Sequence, residues 1–174
     1  PGNCGAKGSY TNTWIAKDAA GNESTIFTQV ITVNDQTAPT WTTLAGALDM
    51  TISCNDEEEL NRAQSRAPKA IDNCGSVTLS KTAGVFVPGN CAGKGTYTNT
   101  WLATDACSNQ SQVYTQVITL IDNTAPVINV CAPEKTVQAG VSCKATLPDF
   151  TTDIQANDNC TASAQLIISQ SPVA

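Results

Sequence analysis

The sequence predicts an all-β protein made of tandem Greek-key β-sandwich modules, with one short helical insertion near residues 56–66. Three observations carry that expectation. Residues 1–39 recur at 88–126 without a gap, at an offset of 87 residues and with 25 of the 39 positions identical; such a repeat takes precedence over any other reading. Each copy holds two runs rich in Thr, Tyr, Trp, Val and Ile around a turn-forming cluster, residues 18–22 in the first and 105–109 in the second, the pattern of a β-hairpin. Only 14% of residues are charged, and Pro and Gly are spread along the chain, which suits a sandwich better than a helical bundle.

The repeat divides the chain into the C-terminal hairpin of a first module (1–38), a complete module (39–125) and the N-terminal part of a third (126–174). A chain that opens in mid-repeat is expected to be an excerpt of a longer one, so the lack of a signal peptide says little about export. Within the second hairpin the two-residue period of a strand puts Tyr97, Trp101 and Ala103 on one face, and Tyr114, Ile118 and Leu120 on the matching face of the partner strand. That apolar face has to be covered. Residues 56–66, DEEELNRAQSR, break the β character: Asp56 is placed to cap a helix, Glu58 and Arg62 stand four apart, and Leu60, Ala63 and Ala67 share a side. Residues 76–81 alternate as a strand and 85–87 begin another. Short strands punctuated by turns suggest an antiparallel Greek-key arrangement.

The chain has eight cysteines, no histidine and no CxxC pair. The usual zinc-ligand spacings are therefore unmet, and disulfides formed in an oxidising compartment are the expectation. Comparing the copies suggests the pairing. Cys91 lies before the second hairpin and Cys107 in its turn, so these two are paired; the first copy keeps Cys4 but has Ala20 in the turn, leaving Cys4 reduced or bonded upstream. Asp72-Asn73-Cys74 recurs as Asp158-Asn159-Cys160, each preceded by one further cysteine, which pairs Cys54 with Cys74 and Cys143 with Cys160. Each closure contributes about 3 kcal/mol in the chain-entropy account. Cys131 corresponds to Leu44 in the complete module; Leu44 is expected to pack on Tyr114, and Cys131 to find its partner beyond residue 174.

A net charge of −6 argues against nucleic acid, whose phosphates call for concentrated Lys and Arg. No apolar run is long enough for a membrane span. Catalysis is not expected: the commonest general base is missing with histidine, there is no GxSxG elbow, and the glycines of PGNCAGKG precede a strand rather than a helix. Lys7 and Lys94, at equivalent loop positions, are weaker candidates for a side-chain amide staple, since disulfides already serve that purpose. No cofactor is required. Calcium is the candidate cation: Asp35 and Asp122 stand at the junctions DQTAP and DNTAP, with Asp18 and Asp105 in the hairpin turns. Carboxylate and carbonyl oxygens there suit a hard cation that stiffens the linkage, although Asp is also a common turn residue. Trp41, matched by Ile128 in the next copy, is the candidate aromatic for ligand binding.

The segments TWLATDACSNQS, TQVITLIDNTAP, IDNC and CAPEKTVQAGVSC resemble HYR-type immunoglobulin-like repeats of large secreted surface proteins. The likeness is greatest to the tandem repeats of giant Bacteroidetes adhesins, many exported by the type IX system and associated with gliding or attachment. The resemblance implies disulfide-stapled modules with an immunoglobulin-like fold, outside the cell or on the bacterial surface. Their partners would be neighbouring repeats of the same chain, other chains through lateral self-association, and a surface or glycan ligand. Ala20 and Leu44 depart from the family's cysteine pattern. The expected function is a stalk or filament segment of an adhesin; the alternatives are a glycan- or protein-binding module and an accessory domain of a secreted hydrolase.

Overall fold

A computed structural model of the chain describes residues 7–91 and 93–172. Strand accounts for 36% of the chain and helix for 9%, which makes it all-β. The elements are β1 (Gly8–Trp14), β2 (Phe27–Val33), β3 (Thr40–Trp41), β4 (Met50–Ser53), α1 (Glu57–Ser65), β5 (Ala70–Ile71), β6 (Val77–Thr82), β7 (Val87–Pro88), β8 (Gly95–Asp105), β9 (Tyr114–Ile121), β10 (Val127–Val130) and β11 (Gln155–Asn157). The largest sheet runs β4-β9-β8-β6, with β7 also on β8; β1-β2, β3-β5 and β10-β11 are two-stranded.

Two compact units divide these elements. The first comprises the described parts of Pro1–Asp49, Arg66–Val85 and Thr98–Val117. In it β1 and β2 form a regular antiparallel hairpin from Gly8↔Val33 to Trp14↔Phe27. The expected period-two alternation is present on β8, where Asn99, Trp101, Ala103 and Asp105 are all buried and the residues between them are not. Trp101, Tyr114 and Leu48 make its core, with Trp41 packed against them. Trp41 and Tyr114 lie tilted against each other, 5.4 Å between ring centroids, and Lys81 Nζ caps the Trp101 ring at 5.2 Å. Leu44 does not pack on Tyr114 as expected. Its side chain is 79% exposed, and what Tyr114 uses is the Leu44 carbonyl, which accepts from the phenol at 2.9 Å. Trp41, three residues earlier and bulkier, takes the place over the ring.

A buried amide chain runs through this core. Asn99 and Gln116 are fully buried. Asn99 Nδ2 donates to Gln116 Oε1 at 3.0 Å, Gln116 Nε2 donates to the Leu48 carbonyl at 2.8 Å, and the Gly84 N–H donates to Asn99 Oδ1 at 3.0 Å. Satisfied in this way, the amides specify how the segments around Leu48 and Gly84 dock on the sheet. A Cβ on Gly84 would come 2.1 Å from the Thr98 carbonyl oxygen, so only glycine permits that approach.

The second unit comprises Met50–Ser65, Phe86–Tyr97 and the described part of Ile118–Ala174. Ile52, Ala63, Ile118 and Leu120 form its core, with Met50, Leu60 and Tyr97 against them. Helix α1 starts where Asp56 Oδ1 accepts the Glu59 N–H at 2.9 Å, an N-cap, and buries Ala63 completely. Arg62 pairs with Glu59 instead of Glu58, the three-residue spacing being equally in reach on a helix surface. Strand β4 pairs with β9 in parallel, Met50↔Ile118 through Ser53↔Ile121, so the sheet is mixed where a purely antiparallel one was expected. Strands β10 and β11 pair antiparallel, Val127↔Asn157 and Ile128↔Ala156. Those pairs repeat Thr40↔Ile71 and Trp41↔Ala70 of β3 and β5, so the third repeat begins with the same local structure as the second.

None of the three expected cysteine pairs forms. Cys54 bonds Cys160, with Cα atoms 5.8 Å apart, in place of Cys74. Cys74, Cys91, Cys131 and Cys143 are exposed free thiols, so neither Cys91 with Cys107 nor Cys143 with Cys160 forms; Cys107 is disulfide-bonded, but not to Cys91. Cys4 lies outside the described residues. The reason is the parallel pairing of β4: the Cys54 N–H donates to the Ile121 carbonyl at 2.9 Å, which carries Cys54 to the end of β9, whereas Cys74 belongs to the other unit. Loop Gly93 lies close by, at positive φ, where a Cβ would fall 2.8 Å from that of Cys160.

Candidate functional site

The hairpin turns show how this sequence places carboxylates. In the second hairpin Asp105 Oδ1 accepts the N–H of Cys107 and of Asn109, and Oδ2 accepts the Asn109 side-chain amide, each at 2.8 Å. In the first, Asp18 Oδ1 accepts from Ala20 at 2.9 Å and from Asn22 at 2.8 Å, with Oδ2 on the Asn22 amide at 2.8 Å. The residue three after the Asp sits at positive φ in both turns, 91° at Gly21 and 73° at Ser108. These donors favour the ionised form. Asn22, through its side chain and then its backbone, holds the Asp18 carboxyl below the usual range. Loss of water pushes Asp105 up, but the side chain and N–H of Asn109, with the N–H groups of Cys107 and Ser108, bring it down overall.

Of the four aspartates singled out in the sequence, two come together. Asp35 and Asp105 meet Asp72, one carboxylate oxygen of each lying within 4.8 Å of the others. Asp35 is 7% exposed and Asp105 9%. Asp35 Oδ1 accepts the Thr37 N–H at 3.0 Å, and the Asp35 carbonyl accepts from Asn109 Nδ2 at 3.2 Å, so the junction segment is held against the turn. Asp72 Oδ2 accepts the Cys74 N–H at 2.8 Å; its other oxygen, Oδ1, is buried and has no partner. The neighbouring Cys74 thiol is pushed up by desolvation and then by the charges of Asp35 and Asp72.

The other two aspartates do not join such a group. Asp18 is exposed and bonded within its own turn. Asp122 lies with Cys54 and Cys160, but those sulfurs are tied to each other and are not thiolate ligands. Asp72 was not among the sequence candidates. Its signal was there in the recurrence of Asp-Asn-Cys at 72–74 and 158–160, where the cysteine drew attention away from the carboxylate.

Trp41 is partly buried, packed against the core, with its Nε1 donating to the Gln112 carbonyl at 2.7 Å. The second unit holds a cavity of about 340 Å³ lined by Ile128, Phe150, Ile154, Ile168 and Gln170. It is apolar and brings no ionisable side chain to bear. No helix among the described residues is long and apolar enough to cross a membrane.

Comparison with known proteins bears on this geometry at one point. Searches of curated proteins and of solved structures give no match. Residues 89–170 match the family model of the bacterial Ig-like domain (group 3), a stretch from the loop before β8 through β11 and beyond. Domains of this kind are generally non-catalytic and suit a structural or binding module. Over those residues the chain is similar to a bacterial Ig-like family, and its fold class is all-β and Ig-like.

Proposed function

We propose that this chain is a spacer segment of a large extracellular bacterial surface protein, in which modules equivalent to residues 39–125 repeat head to tail and supply reach. The observation that carries this reading is the recurrence of structure at the repeat interval. The hairpin β1–β2 and its counterpart β8–β9 share turn chemistry, and β3–β5 and β10–β11 share register. A unit repeated with its local bonding intact, and without a convergent catalytic group among the described residues, suits extension better than turnover. A strand of about six residues spans roughly 20 Å, so each module adds length of that order and more. The junctions end in Ala-Pro, and Pro restricts the backbone on both sides of the hinge. Disulfide bonding and the Ig-like class favour placement outside the cytosol, and an adhesin of the HYR-like type is the specific assignment.

Stretching single molecules of the chain tests the reading. The Cys54–Cys160 bond spans 106 positions, so its reduction alone should release roughly 350 Å of further chain at about 3.4 Å per residue, to which opening the Cys107 bond can only add. Equal unfolded lengths with and without reductant, or specific binding of the chain on a glycan array, would count against a spacer and for a binding module.

A further inference from the structure

We propose that Asp35, Asp72 and Asp105 bind one Ca²⁺, and that this ion fastens the junction segment before β3 to the turn after β8. The geometry fits. Calcium binds oxygen at about 2.3–2.6 Å, so oxygens lying within 4.8 Å of one another can all touch a single ion. The donors are carboxylates, the hard ligands that Ca²⁺ prefers. Asp35 and Asp105 are withdrawn from solvent.

An observation separate from the clustering points to a ligand. Asp72 Oδ1 is buried and accepts no hydrogen bond, although nine in ten or more buried polar groups find a partner. Among the described residues one other buried side-chain atom shares that condition, Asp158 Oδ2. Asp158 is the counterpart of Asp72 in the next repeat, where the Cys160 N–H again occupies the other oxygen, at 3.0 Å. The unsatisfied oxygen therefore belongs to the motif. At the second junction the equivalents of Asp35 and Asp72 are Asp122 and Asp158. Among the described residues one such set of three carboxylates is assembled, from two successive repeats, and the assignment stands whether or not the protein serves as a spacer.

Calorimetric titration and thermal unfolding of the oxidised, EDTA-treated chain decide the matter. The expected result is one Ca²⁺ per chain and a rise in unfolding midpoint of about 5 °C or more at millimolar calcium, the range of extracellular sites, with little response to Mg²⁺. Asp72→Asn keeps an acceptor for the Cys74 N–H and removes one of three neighbouring charges. It should leave the calcium-free midpoint unchanged or higher while abolishing the calcium-dependent rise; Asp105→Asn should also abolish that rise. Absence of heat and of any midpoint change in the unmodified chain up to about 10 mM Ca²⁺ overturns the proposal. So does an undiminished rise in both variants, or a response to Zn²⁺ alone.

Discussion

The hairpins β1–β2 and β8–β9 carry nearly the same residues and meet opposite fates. Trp101 is 3% exposed and its counterpart Trp14 58%; Tyr114 is 4% exposed and Phe27 66%; Ile118 is buried and Ile31 43% exposed. Local structure does not follow burial. The amide pair that bridges the strands is present in both, Asn12 to Gln29 at 3.2 Å in the open and Asn99 to Gln116 at 3.0 Å inside. Ser24 and Ser111 accept the Ala16 and Ala103 N–H groups at 3.0 and 3.1 Å. Turn geometry and register are therefore local properties of the repeat. The core is not: Leu48 and Trp41 supply it to the second copy, and the described structure brings no such cover to the first.

Paired substitutions sharpen or break that comparison. The largest contrast is at the tryptophans. Trp101→Ala should cost about 3–5 kcal/mol and Trp14→Ala less than about 1 kcal/mol by chemical denaturation; comparable losses would mean that the first hairpin is covered in solution. Next comes the amide pair. Asn99→Ala removes the bonds that Asn99 makes to Gln116 Oε1 and the Gly84 N–H, a cost of about 2–4 kcal/mol, whereas Asn12→Ala should change stability by no more than about 0.5 kcal/mol. The smallest effect lies in the turns. Ser108 holds a left-handed conformation that disfavours L-residues by roughly 1–2 kcal/mol, so Ser108→Gly should gain up to about 1 kcal/mol. Gly21→Ser should weaken the first turn by a similar amount, read as faster amide exchange at Asn22.

The same contrast explains what could be read in the residues and what could not. Features set by near neighbours were legible: the two-residue alternation of β8 and β9, the aspartate-led turns, and the Asp56 cap of α1. Features created by distant segments were not. The parallel pairing of β4 with β9 joins positions 68 residues apart, and no local pattern announces it. It is this pairing that carries Cys54 to Cys160 and defeats a cysteine assignment based on sequence order. Asn99 and Gln116 sit at inward positions where an apolar residue is the default, and their role depends on Leu48 and Gly84. Asp35 and Asp105 were recognisable as oxygen donors from the repeat, but Asp72 enters the group only because the fold folds its turn back onto them.

The direction of β4 has a mechanical consequence. Once the Cys54–Cys160 bond is reduced, so that tension no longer bypasses β9, a pulled chain draws β4 toward its N-terminal end and β9 toward its C-terminal end, and for strands running the same way those pulls are opposed along one axis. The four residue pairs from Met50↔Ile118 to Ser53↔Ile121 are then loaded in shear and must give way together, whereas the antiparallel ladder of a hairpin pulled from its open end unzips one rung at a time.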